Sequence, residues 1–106
     1  EVGMTPLRFD DRLHMAARDH AADMVEGGFR SHRGSDGSSF RARASRHGMG
    51  CAVAENITWG SSDAPRAVDW WRNSPDHREA MSRSDLSTFG LAEVNRVWVL
   101  VLGRSC

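Results

Sequence analysis

Between Asp10 and Glu26 the positions Leu13, Ala17, His20, Ala21 and Met24 recur at i, i+4, i+7, i+8 and i+11, while Arg12, Asp19, Asp23 and Glu26 fall on other faces. A stripe of that period predicts an amphipathic helix. Asp10 is placed to cap its first turn. Gly27-Gly28 is placed to end it, because glycine accepts the left-handed backbone beyond a last turn. The periodicity then breaks: "RSHRGSDGS", residues 30–38, is a polar glycine- and serine-rich loop, and an arginine-rich helical turn follows from Ser39 to His47. Within "GMGCAVAENITWG" a short strand is expected near Ala54 to Thr58, turned by Gly60-Ser61-Ser62. Asp63 caps the next helix, which tolerates Pro65 in its first turn and runs to about Ser74, where Pro75 starts a short helix of its own. In that register Trp71 shares a face with Ala67 and Val68 and is a packing residue, while Trp70 follows Asp69 and is more exposed.

The C-terminal pattern says most about architecture. Val97, Val99 and Val101 alternate with Trp98, Leu100 and Leu102, and neither set is polar, so both faces of this strand must be covered. "FGLAEV" reads as its antiparallel partner across a turn at Asn95-Arg96, a weaker hairpin signal than Asn-Gly. The fold class is therefore α+β, a small antiparallel sheet with helices on both faces.

With 106 residues the chain makes a single domain spanning 1–106, burying roughly two-thirds of its unfolded surface. Its 14 basic and 14 acidic side chains cancel, so no overall field draws it to nucleic acid or anionic lipid. Arg30, Arg33, Arg41, Arg43 and Arg46 make a local basic face, but with only Phe40 as an aromatic platform they read as a solvated helix face and no nucleic-acid partner is expected. No apolar run approaches the roughly 20 residues of a membrane span, and the N-terminus has no leader pattern, so a soluble monomer whose export signal has been removed is expected. Cys51 and Cys106 are too few for a thiolate zinc site, so they pair or stay free. A bridge is the better account of a cysteine at the chain's last position, and it places the protein in an oxidising compartment.

Familiar catalytic signatures fail on spacing. "HREAM" is not H-E-x-x-H, His77-Arg78-Glu79 lacks a following P-C-x-x-C, and "GSDGSS" is neither a nucleophile elbow nor a phosphate loop. What remains is a dispersed polar set: His32 in the loop, Glu55 in an otherwise apolar strand, and His77 at a helix start after Pro75. A carboxylate among Val53, Ala54, Ile57 and Trp59 is costly to bury alone, so Glu55 must meet a cleft, a cation or a hydrogen-bonded partner. Taken singly, each histidine reads as a satisfied polar residue near the core, and His14, His20 and His47 keep that reading.

The blocks "LHMAARDHAADM", "FRSHRGSDGSSFRAR", "VAENITWG", "AVDWWRNSPDHREAM" and "FGLAEV" with "WVLVLG" cover nearly the whole chain in order. Together they resemble the CAP superfamily of cysteine-rich secretory, antigen-five and pathogenesis-related proteins, in its small bacterial SCP-like branch. The resemblance implies a three-layer α-β-α sandwich and a secreted protein. It also implies a central cleft holding His32, Glu55 and His77, able to take a divalent cation such as zinc. Eukaryotic members usually place a second glutamate in the helix before the second histidine; the matching position here is Ser74, which implies weak binding. The family's first helix begins further upstream, so part of that helix is expected to be missing from this chain.

Two functions follow from the resemblance. The favoured one is a binding module, not an enzyme, whose cleft takes a cation and a small-molecule or lipid ligand. The alternative is a metal-dependent, protease-like hydrolase in which a metal-bound water beside Glu55 attacks a carbonyl. Ser31 and Ser74, the serines near the two histidines, lack an elbow motif and supply no nucleophile.

Overall fold

A computed structural model describes residues 7–106, and the expected loss of upstream helix lies outside them. Helix α1 is Asp11–Gly27. The Asp10 carboxylate caps it by accepting from the Arg12 and Leu13 amides, and Gly28 closes it at φ 68°. Ser39 caps α2, Phe40–Arg46, through the Ala42 amide. Strand β2, Ala52–Trp59, is longer than the expected five-residue core. Asp63 caps α3, Ala64–Arg72, and α4 is Pro75–Met81. Strands β3, Thr88–Val94, and β4, Val97–Gly103, form the C-terminal hairpin. Its turn places Asn95 at φ 47° and Arg96 at φ 64°. Two positive φ values match the right-handed twist of the flanking strands, and Glu93 Oε2 holds the turn by accepting from the Arg96 amide.

The sheet order is β1-β3-β4-β2, where β1 is the two-residue strand Arg8–Phe9. β2, β4 and β3 are antiparallel, as expected, but β1 adds parallel to β3 and makes the sheet mixed. A two-residue strand leaves no periodic trace in a sequence.

β4 separates the two cores. Val97, Val99 and Val101 pack with Leu13, Ala17 and Met24 of α1, and Trp98, Leu100 and Leu102 pack with Ala67 and Trp71 of α3. That is the three-layer sandwich that the family resemblance implied, with both faces of β4 covered as the alternation required. Gly90 lets α1 lie close on β3: a Cβ there would collide with the Leu13 carbonyl carbon and the His14 amide nitrogen. Cys51 before β2 is bonded to Cys106 after β4, closing a separation of 55 residues and contributing about 4 kcal/mol by chain entropy.

His20 is fully buried in α1, where Nε2–H donates to the Ser31 carbonyl at 2.6 Å and Nδ1 has no partner among the described residues. Burial pushes its pKa down, with the Arg43 charge adding to that and Glu55 opposing it. The unfolded chain therefore binds the proton more readily, and stability is lost as pH falls from about 6.5 toward the depressed native value. Denaturant titrations between about pH 7 and 5 should show a smaller loss for His20→Gln, whose amide keeps a donor but does not titrate. Identical slopes would contradict the assignment. Trp71 is wholly buried and Trp70 is 51% exposed, as the helical register requires. Trp71→Ala is expected to cost about 3 to 5 kcal/mol and lower Tm by more than about 10 °C. Trp70→Ala is expected to leave Tm nearly unchanged, and the reverse order in a thermal melt would refute the packing.

Candidate functional site

Consecutive residues of β2 point to opposite faces of the sheet, and two of them hold the two histidine-bearing segments. Glu55 faces the α1 and α2 side. Its side chain has no solvent exposure, and both oxygens are engaged: Arg43 Nη2 donates to Oε2 at 2.9 Å and His32 Nδ1 lies 2.8 Å from Oε1. A carboxylate only accepts, so Nδ1 of His32 carries the proton and its Nε2 is the ring atom left for a ligand. The His32 side chain is 60% exposed.

Arg43 locks this corner. Nη1 donates to the Ser38 carbonyl at 2.8 Å and Nη2 to the His32 carbonyl at 2.9 Å. One guanidinium thus ties α2, the polar loop and β2 together, and it is buried, not part of a solvated helix face. The plain reading of the five arginines fails here because Glu55 needs a buried counter-ion. Arg46 does fit that reading, pairing with Asp36 at the surface.

Asn56 faces the α3 and α4 side, where its Nδ2–H donates to the main-chain oxygen of His77 at 3.1 Å. Sequence reasoning missed this residue. Its signal was available, since an asparagine inside a buried strand needs a partner as much as the neighbouring glutamate does. The His77 ring is half-buried and stacks edge-on against Trp70 at 5.2 Å, with Nδ1 at 2.8 Å from Ser74 Oγ. Burial and the nearby His32 both lower its pKa, and Asp76 opposes them. Ser74, in the position where a second glutamate was sought, gives His77 a neutral hydrogen-bond partner.

The structure thus brings His32, Glu55, His77 and Ser74 to the two sides of β2. Glu55 lies behind His32 with no free carboxylate oxygen, and among the described residues no group of three His, Cys, Asp or Glu side chains is arranged to hold a metal ion. Beside His32 opens a cleft of about 410 Å³ lined by Ser31, Arg33, Gly37, Ser38, Ser39 and Phe40. His14 and His47 are outside the site, bonded to the Leu91 carbonyl and to Asp19. No helix among the described residues is long and apolar enough to cross a membrane.

An extracellular SCP-domain protein from Bacillus anthracis superposes with a TM-score of 0.91 at 23% identity, covering 96% of this chain and 35% of that one. An outer surface protein of Borrelia burgdorferi gives 0.78 at 22% identity over 99% of this chain and 82% of its own. A cysteine-rich secretory protein of Staphylococcus aureus gives 0.78 at 19% over 97% and 33%. These likenesses establish the shared fold. In sequence, the chain is 32% identical over 90 residues to the uncharacterized membrane protein YlbC of Bacillus subtilis, covering 84% of this chain. It spans only 26% of that relative's length. The model of the cysteine-rich secretory protein family matches residues 1–96, and the chain belongs to that family, the CAP domains.

Proposed function

We propose that this CAP domain is a secreted binding module whose cleft takes a divalent cation weakly between His32 and His77. The observation that carries the reading is the way both rings are held. Each is engaged at Nδ1, His32 by Glu55 and His77 by Ser74, which directs Nε2 of each toward a ligand. A carboxylate behind an imidazole fixes its tautomer and raises its basicity, the usual support for a metal-ligating histidine. The donor set fits a zinc-like ion with two protein ligands, and such an ion, when bound, supplies Lewis acidity and sites for further ligands. For His77 this requires the tautomer in which Nδ1–H donates to Ser74 Oγ. Two ligands fall short of the three or four of strong zinc sites, so weak binding is expected.

Binding is favoured over hydrolysis because the Glu55 side chain has no solvent exposure and is turned to His32 and Arg43, which keeps the group a hydrolase would use as base away from cleft water. The lining of Ser31, Arg33, Ser38 and Ser39 beside Phe40 suits a polar ligand better than a lipid. Export is supported by the Cys51–Cys106 bridge and by the extracellular and surface settings of the structural relatives.

Calorimetric titration with zinc at about pH 7.5 tests this reading, and affinity is expected to fall in acid, because protonated imidazole has no lone pair to donate. His32→Ala and His77→Ala are each expected to weaken binding more than about tenfold. Equal affinity in the wild type and both variants would show that these histidines are structural.

A further inference from the structure

The polar loop between α1 and α2 and the first residues of α2 wall the cleft beside His32, and the hydrogen bonds made within that wall decide which atoms are left for a ligand. The carbonyls of Ser31, His32 and Ser38 are already taken: His20 donates to the first at 2.6 Å, and Arg43 donates to the other two at 2.9 and 2.8 Å. The hydroxyls of Ser31 and Ser39 accept from the Arg33 and Ala42 amides, each at 3.1 Å. An N–H only donates, so both hydroxyls keep a proton to give. The wall is also preformed, because the Gly34 amide donates to the Ser38 carbonyl and the Gly37 amide to the Gly34 carbonyl, each at 2.9 Å. A ligand there pays little for ordering the loop.

Charge points the same way. Among the arginines of this segment, Arg43 pairs with Glu55, Arg46 pairs with Asp36, and Arg30 donates to the Met24 and Phe29 carbonyls. The guanidinium groups of Arg33 and Arg41 have no hydrogen bond or ion pair among the described residues. Arg33 lines the cleft, and Arg41 lies over the ring of Phe40, another lining residue, at 4.9 Å. No acidic side chain lines the cleft. The neighbouring acid, Asp36, is engaged by the Ser38 hydroxyl and amide and by Arg46, which hold its carboxyl well below the usual carboxylate range. Glu55 is sealed from solvent and neutralised by Arg43.

We propose that this cleft binds a small organic oxyanion, whose carboxylate or phosphate oxygens accept from Arg33 and from the Ser31 and Ser39 hydroxyls while its carbon body lies against Phe40. A guanidinium presents a planar fork of N–H donors that matches carboxylate and phosphate oxygens. The volume, about 410 Å³, falls within the roughly 300 to 1,000 Å³ of small-molecule sites and exceeds what an inorganic anion fills. This deepens the binding-module reading by naming a ligand class; it rests on that reading's cleft and not on the cation.

The full chain, freed of metal over an immobilised chelator, is titrated at about pH 7.5 and low salt with benzoate, with phenyl phosphate and with neutral benzyl alcohol, and amide spectra are followed residue by residue. Benzoate or phenyl phosphate is expected to shift the Ser31, Arg33, Ser39 and Phe40 amides to saturation, the tighter of the two naming the head group, while benzyl alcohol leaves them in place. Arg33→Gln is expected to weaken binding at least about tenfold, the loss of a charge-assisted hydrogen bond. Arg33 is exposed and its side chain has no partner in the fold, so that variant keeps its structure. Arg18→Gln removes the same charge from an exposed position on α1 and is expected to change affinity less than about twofold. No saturable shift with either anion, equal shifts with benzyl alcohol, or equal weakening by Arg18→Gln and Arg33→Gln would each overturn the inference. Zinc binding without anion binding overturns this inference alone, and anion binding without zinc binding leaves it standing while the cation reading falls.

Discussion

The buried ion pair between Arg43 and Glu55 is the constraint around which the site is built. Neither side chain has more than 5% exposure, and removing ions from water costs several kcal/mol each unless their remaining hydrogen-bonding groups are satisfied. Both Glu55 oxygens are satisfied, and Arg43 also donates to the carbonyls of Ser38 and His32, while its buried Nε–H has no partner among the described residues. The pair therefore fastens loop to sheet. Losing one partner would leave an uncompensated buried charge, worth about 3 to 5 kcal/mol of stability, and would free the segment that carries His32. The buried His20 supports the same loop from α1 through the Ser31 carbonyl.

From that corner the logic runs along β2. Glu55 secures His32 from one face of the strand, and Asn56, one residue on, secures the main chain of His77 from the other. One strand thereby positions both histidines, one from each of its faces. The disulfide and the close approach of α1 at Gly90 hold the sheet rigid beneath them.

Features with a strong local signal were legible in the sequence. Asp10 and Asp63 mark helix starts because each side chain satisfies an orphan amide, and the alternation of Val97 to Leu102 pointed to a strand buried on both faces. Trp71 and Trp70 were separable by helical register alone. β1 was not legible, because two exposed residues carry no period. Arg43 was missed because it sits among four other arginines, and only the fold shows which of the five meets Glu55. Glu55 itself was singled out by its apolar neighbours, but that both its oxygens would be consumed depended on two partners from other segments. Asn56 drew no notice because an amide carries no charge, although burial imposes a similar demand for a partner.

The central claim is that Glu55, clamped by Arg43, fixes His32 with its proton on Nδ1 and leaves Nε2 to the cleft. Long-range proton–nitrogen spectra of the histidine rings read this directly. In the neutral ring of the metal-free protein His32 is expected as the Nδ1–H tautomer, and in Arg43→Met, where the clamp is lost, as a mixture of both. A His32 ring carrying its proton on Nε2 in the intact chain would contradict the account.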